Sequence, residues 1–183
     1  FFYKSKEMNK ASKRGVSHDI DEMSMELFIN NLDFSLTKSQ LEVIREITYD
    51  MSSSVPMKRL LQGDVGSGKT VVATFAMISA VLNKHQSALM APTEVLAEQH
   101  YKTVVEMSKP FNIEIYLITS SKKDKSHVQE VIRSGKPAIF IGTHALIQEK
   151  IEFNNLSFVV IDEQHRFGVE QRSKLISSKE NNV

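Results

Sequence analysis

Residues 63–70 combine glycines, a lysine and a threonine in an order that suits phosphate binding. They fit the pattern G-x-x-x-x-G-K-[ST]. The glycines allow a concave loop with inward-pointing N–H groups, and a helix starting near Lys69 would add its positive dipole end. We expect the Lys69 ammonium to reach the β- and γ-phosphates of a nucleotide and the Thr70 hydroxyl to bind Mg²⁺. The candidate nucleotide-binding residues are Gly63, Asp64, Val65, Gly66, Ser67, Gly68, Lys69 and Thr70.

A pair of adjacent carboxylates follows the apolar run 158–161. A buried strand there would deliver Asp162 and Glu163 to the edge of a sheet, where consecutive side chains diverge. Asp162 is then predicted to hold Mg²⁺, and Glu163 to orient or deprotonate the water that attacks the γ-phosphate. Taken alone, such a pair is most often a polar loop. Its combination with the phosphate loop favours the catalytic interpretation.

Two further loops have the composition of nucleic-acid phosphate contacts. Each places a threonine at the start of a predicted helix, where free N–H groups and the hydroxyl could bind a phosphate. Ordinary helix N-capping explains the same residues equally well. The candidate DNA-contacting residues are Pro92, Thr93, Glu94, Thr143 and His144.

These candidate residues follow elements that alternate between apolar strands and amphipathic helices. The pattern predicts strands at 57–62, 88–91, 113–118, 138–141 and 158–161, and helices at 69–82 and 121–134 and from Thr37 and Thr93. Thr37 and Gln40 have the spacing of a capping box. Such alternation is typical of an α/β fold with a mainly parallel sheet covered by helices on both faces. Ligands of these sheets bind beyond the carboxyl ends of the strands, where the candidate residues fall.

Length, charge and composition narrow the classes of protein to which the chain could belong. The 183 residues suit one domain or slightly more, and 23 basic against 22 acidic residues give a net charge of +1, which argues for neither nucleic acid nor membrane. The sequence has no cysteine, and its scattered histidines do not have the spacing of a zinc site. Residues 1–32, basic and then acidic, are predicted to form a helical connector, and 33–183 the nucleotide-binding domain. A start at Phe1 without a signal peptide suggests a piece of a longer protein.

In this order the motifs resemble the first motor domain of superfamily 2 helicases and, within it, the bacterial RecG family. The matching runs are 61–70, 90–94 with 96–100, 142–146 and 162–169, and the resemblance extends over about 34–172. It implies a RecA-like P-loop NTPase domain that uses ATP and Mg²⁺. It also implies a bacterial, cytoplasmic, monomeric translocase on branched double-stranded DNA that regresses replication forks and migrates Holliday junctions, with no membrane partner.

The resemblance also implies roles for individual residues. Phe34 and Gln40 match the region that reads the base, with Gln40 at the adenine edge. Gln164 and His165 would relay the nucleotide state to a second RecA-like domain. That domain and an N-terminal wedge domain would belong to the same full-length protein, so the 183-residue chain alone should bind ATP weakly and hydrolyse it barely. Where the family tends to have Thr-Gly-Ser, this chain has Ser120.

Other protein classes share a phosphate loop. A GTPase would need Asn-Lys-x-Asp, and the Asn-Lys steps at 9–10 and 83–84 lack the aspartate. A small-molecule kinase would need an arginine-rich lid after the sheet. A non-catalytic module would not need Lys69, Thr70, Asp162 and Glu163 to be intact.

Overall fold

The structure, a computed structural model, describes residues 2–4, 6–9, 12–64, 66–119, 126–147 and 151–162. None of the described helices is long and apolar enough to cross a bilayer. The helices are α1 (Glu22–Asn30), α2 (Lys38–Ser52), α3 (Lys69–Leu82), α4 (Glu94–Ser108) and α5 (Ser126–Ser134). The strands are β1 (Phe2–Lys4), β2 (Lys6–Asn9), β3 (Ser12–Gly15), β4 (Lys58–Arg59), β5 (Gln86–Met90), β6 (Ile115–Ile118), β7 (Ile139–Gly142) and β8 (Leu156–Ile161).

Among the described residues, six strands form one sheet in the order β4-β1-β8-β5-β7-β6, and β2 pairs with β3 separately. Strands β8, β5, β7 and β6 are mutually parallel, and their registers place Leu89 beside both Val160 and Ile141. Strand β1 is antiparallel to both of its neighbours. The predicted α/β fold with a mainly parallel sheet is therefore confirmed.

Strands β5, β7 and β8 are buried along their whole length, and this explains why their sequences are mostly apolar. In β5, Leu89 packs into the core under α3 and α4, whereas Ala88 and Met90 pack into a second core with α5. In β8, Val160 packs into the first core and Ile161 into the second. Successive side chains of a strand point to opposite faces, so a strand covered on both sides favours apolar residues on both faces.

Helix α3 lies at the centre of the first core. Its residues from Val71 to Val81 are all buried, as expected for a helix that is apolar around its whole circumference. The ring of Phe75 lies 5.4 Å from the ring of Phe28 in α1. The helix spans the residues predicted for it, and it carries the phosphate loop at its N-terminus.

The N-terminal part differs from its prediction. Among the described residues of the connector expected over 1–32, α1 is the helical part, and residues 2–15 contain three short strands. The strands escaped the sequence pattern because this segment is mostly lysine and polar residues, without apolar alternation. Strand β4 is shorter than the predicted 57–62, because its pairing with β1 extends over Lys58 and Arg59 and the chain then leaves the sheet. Of the helix predicted at 121–134, the part from Ser126 is confirmed, and 120–125 lie outside the described residues.

Candidate functional site

The phosphate loop is a tight turn that its own lysine closes. Gly66 and Gly68 have φ angles of +81° and +79°, a region that favours glycine. The Lys69 ammonium donates hydrogen bonds to the carbonyl oxygens of Gly63 and Asp64, both at 2.7 Å, and to the Ser67 hydroxyl at 3.3 Å. The lysine that the sequence predicts to bind phosphate therefore has its ammonium group within the loop.

The side chain of Gln40 fastens helix α2 to this loop. Its Oε1 accepts from the Thr37 N–H at 2.8 Å, and the Thr37 hydroxyl accepts from the Gln40 N–H at 3.2 Å, which confirms the capping box. Its Nε2 donates to the Ser67 carbonyl oxygen at 2.9 Å. A Cβ atom on Gly68 would lie 2.1 Å from this Nε2, so the contact requires glycine. The structure thus brings the predicted base-reading residue against the phosphate loop.

Phe34 lies in the loop that joins α1 to α2. Its side chain is 47% exposed and lines a surface cleft of about 470 Å³ between Ile29 and Leu41. Clefts of about 300–1,000 Å³ are common binding sites for small molecules. The cleft reaches the first turns of α2 at Leu41.

The carboxylate of Asp162 is held by a histidine that was not among the predicted site residues. His100 Nε2 in α4 lies 2.8 Å from Asp162 Oδ2, and the side chains are 16% and 33% exposed. The backbone N–H of Asp162 donates to the Met90 carbonyl oxygen at 2.9 Å, so the ladder between β5 and β8 continues to this residue. Asp162 therefore lies at the carboxyl end of the sheet, as predicted.

The predicted DNA-contacting loops lie at the same edge. The Thr93 hydroxyl accepts from the Leu96 N–H at 3.2 Å, so Thr93 caps α4, and its side chain is exposed. The other threonine, Thr143, is 2% exposed, whereas its neighbour His144 is exposed. The Ala91 N–H donates to the Gly142 carbonyl oxygen at 2.8 Å and joins the two loops. The contacts of Pro92, Thr93, Glu94, Thr143 and His144 with DNA remain predictions.

Some predicted site residues fall outside the part of the chain that the structure describes. These are Val65 of the phosphate loop, the predicted catalytic Glu163, and the predicted relay residues Gln164 and His165. Ser120 also lies outside it.

The residues predicted to bind Mg²⁺ offer the chemistry that this ion prefers. Thr70 supplies a hydroxyl and Asp162 a carboxylate, and Mg²⁺ takes oxygen ligands, usually one or two carboxylates together with substrate phosphates. Within the described residues, no group of three or more His, Asp or Glu side chains could hold a metal by itself. The donor set therefore fits an ion shared with a nucleotide.

Comparison with known proteins agrees with this site. The model of the DEAD/DEAH box helicase family matches residues 37–181, which include the phosphate loop and Asp162. The chain belongs to the DEAD/DEAH box helicase family. Its resemblance to RecG is confirmed by relatives such as the ATP-dependent DNA helicase RecG of Bacillus subtilis, 50% identical over 88% of this chain. RecG of Aquifex aeolicus is 48% identical over 86% of this chain. The chain spans 24% and 20% of these two relatives' lengths.

A solved structure shows the same relationship within this helicase family. A RecG bound to a three-way DNA junction superposes with a TM-score of 0.78 at 46% identity, covering 85% of this chain and 22% of that one. The UvsW helicase of bacteriophage T4 is 15% identical, with a TM-score of 0.64 over 91% of this chain and 58% of that one, and shows the fold alone. The RecG neighbour thus resembles this chain in both sequence and fold, and the UvsW neighbour in fold.

Sequence reasoning missed His100 as a site residue, although its signal was present. The residue belongs to the run 96–100 that carries part of the resemblance to RecG. Its distance from Asp162 along the chain hid the contact, because only the pairing of β5 with β8 brings the two together.

Proposed function

We propose that this chain is the ATP-binding motor domain of a RecG-like double-stranded DNA translocase. In the full-length protein it would couple ATP hydrolysis to regression of replication forks and branch migration of Holliday junctions, in DNA repair and recombination. The observation that carries the proposal is the phosphate loop, to which both Lys69 and Gln40 donate hydrogen bonds. The family match, and RecG relatives with close to half of their aligned residues identical, support the choice of motor.

Different residues of the chain would bind the phosphates, the adenine and the magnesium ion of Mg-ATP. The N–H groups of the phosphate loop and the Lys69 ammonium bind the β- and γ-phosphates, and Gln40 and Phe34 bind the adenine. Thr70 and Asp162 would hold Mg²⁺, which neutralises charge that develops on the phosphates. Glu163 would orient the attacking water, while Gln164 and His165 would pass the nucleotide state to the second motor domain.

The proposed partners lie outside the chain. A second RecA-like domain and an N-terminal wedge domain of the full-length protein would complete a monomeric motor in the bacterial cytoplasm. Branched double-stranded DNA would run along Pro92–Glu94 and His144. A RecG relative was solved on a three-way DNA junction, and this supports branched DNA as the substrate. An arginine finger from another domain contributes about 10³–10⁵ in turnover where one is used, so this chain alone should be nearly inactive.

The proposal is tested by titrating the 183-residue chain with a fluorescent ATP analogue and Mg²⁺. We expect saturable binding that ATP displaces and GTP does not. Lys69→Ala should weaken binding at least tenfold, because the variant lacks the ammonium that faces the phosphates. Its free energy of unfolding should change by less than about 1 kcal/mol, since the lost hydrogen bonds are made in an exposed loop.

A matched control is Lys84→Ala, which removes an exposed lysine from the turn after the other end of α3. It should bind nucleotide as the wild type does. Equal displacement by GTP, or wild-type affinity in Lys69→Ala, would contradict the proposal.

A further inference from the structure

Asp162 makes contacts through both its backbone and its side chain. Its backbone N–H is bonded to the Met90 carbonyl oxygen in the sheet, which fixes where the residue stands. His100 Nε2, 2.8 Å from Oδ2, fixes the direction of the carboxylate. The two bonds come from different elements, β5 and α4.

The alternation of β8 explains why a residue of α4 reaches this carboxylate. Phe158 and Val160 pack into the core that α3 and α4 cover, whereas Val159 and Ile161 pack into the opposite core. Asp162 continues the first set, so its side chain meets α4. The N-terminus of α3, with Thr70, begins on the same side of the sheet.

The chemistry of the pair decides which atom carries the proton. A carboxylate oxygen only accepts hydrogen bonds, so His100 Nε2 must be the N–H that donates. Hydrogen bonds to a charged acceptor are among the stronger ones in proteins. The His100 side chain is 16% exposed and that of Asp162 33%, so the pair is partly buried.

We propose that His100 is a positioning residue, which holds the Asp162 carboxylate in the orientation that binds the magnesium ion of Mg-ATP. The inference rests on the proposed function, because it assumes that Asp162 binds this ion. Groups that orient metal-binding side chains typically contribute 10–100-fold to metal affinity or activity. Since α4 begins at the loop 92–94, His100 also joins the predicted DNA contact to the nucleotide site through one helix.

The first experiment measures the Mg²⁺ concentration at which a fluorescent ATP analogue half-saturates the 183-residue chain. His100→Leu should raise that concentration about tenfold, whereas binding in EDTA should stay at the wild-type level. His100→Gln keeps a side-chain N–H near the position of Nε2 and should restore the value to within about threefold. Gln99→Leu, an exposed neighbour on the same helix, is the matched control and should behave as wild type.

The outcomes separate the two hypotheses. A wild-type Mg²⁺ requirement in His100→Leu would overturn the positioning role and leave the proposed function standing. A wild-type chain with no Mg²⁺-dependent binding would overturn both. An equal loss in His100→Leu and His100→Gln would also contradict the positioning role, because the donor would then be irrelevant.

A second experiment does not depend on nucleotide and remains informative if His100→Leu folds poorly. Long-range ¹H–¹⁵N NMR spectra of the imidazole rings report which nitrogen carries the proton. We expect the Nε2–H form for His100 in the wild type, and loss of that preference in Asp162→Ala. An unprotonated Nε2 of His100 in the wild type would overturn the inference, since that atom could not donate a hydrogen bond to the carboxylate.

Discussion

Helix α3 and the phosphate loop adjoin in the chain and differ in what holds them in place. Residues Val71 to Val81 of the helix are all buried and are held by apolar packing. The described residues of the loop, Gly63, Asp64, Gly66 and Ser67, are exposed and are held by hydrogen bonds from Lys69 and Gln40. Packing contributes stability in proportion to buried area, whereas exposed hydrogen bonds contribute little because water competes for them. We therefore expect α3 to contribute much of the free energy of unfolding and the contacts of the phosphate loop to contribute little.

The largest expected effect tests the helix side of this comparison. Phe75→Ala should lower the free energy of unfolding by about 3–5 kcal/mol, because it removes a buried ring and leaves a cavity against Phe28. Urea unfolding of the chain measures the change. Tyr49→Ala, at a position 77% exposed, is the control and should change it by less than about 0.5 kcal/mol. Similar losses in the two variants would break the comparison.

Two glycines of the loop separate backbone strain from side-chain contact. Gly68→Ala should destabilise by about 1–2 kcal/mol through its positive φ, and its Cβ should also displace Gln40 and weaken nucleotide binding. Gly66→Ala has a similar φ but nothing within 4 Å of the added Cβ, so strain alone should remain. Urea unfolding and the nucleotide titration measure both effects. If nucleotide binding fell equally in the two variants, the contact with Gln40 would not matter.

Gln40 itself should have a smaller effect. Gln40→Ala removes the acceptor of the capping box and the donor to the Ser67 carbonyl, and should destabilise by about 1 kcal/mol. Gln40→Glu keeps an acceptor for the Thr37 N–H and loses only the donor, so its loss should be about half as large. Thermal unfolding followed by circular dichroism distinguishes them. A loss in Gln40→Glu as large as that in Gln40→Ala would indicate that the bond to the Ser67 carbonyl outweighs the cap.

The smallest expected effect concerns the strand that leads into the loop. Arg59 in β4 donates to Asp50 at 2.8 Å and also pairs with Glu46, both in α2, and the hydrogen bond to Asp50 raises the pKa of Arg59. Arg59→Met should destabilise by less than about 1 kcal/mol, since surface ion pairs are weak. The loss should shrink at high salt in urea unfolding. Lys58→Met removes a charge from the adjacent exposed position, and an equal loss there would contradict a specific role for the pair.

The sequence predicted the elements whose local signals agree with their packing. Helix α3 spans the predicted residues because its apolar periodicity and its glycine-rich start coincide, and the capping box of Thr37 formed as expected. The hairpin of β2 and β3 has no apolar alternation that would reveal it. Strand β1 could not be predicted, because its pairing partners β4 and β8 lie elsewhere in the chain. His100 could not be assigned for the same reason. Its contact with Asp162 joins α4 to the end of β8, 62 residues away in the sequence. The spacing of residues in a sequence reveals only contacts between neighbours along the chain.

The backbone hydrogen bonds just beyond the strands have a mechanical consequence. Ala91 is bonded to Gly142, and Asp162 to Met90, so the chain segments that leave β7, β5 and β8 form one stiff rim. A load applied at Pro92–Glu94 would be transmitted along this rim to the Asp162 carboxylate without passing through a flexible joint. In the proposed motor, such a connection would limit the force that is lost as local deformation, so we expect movement to arise at the hinge with the proposed second domain rather than within this sheet.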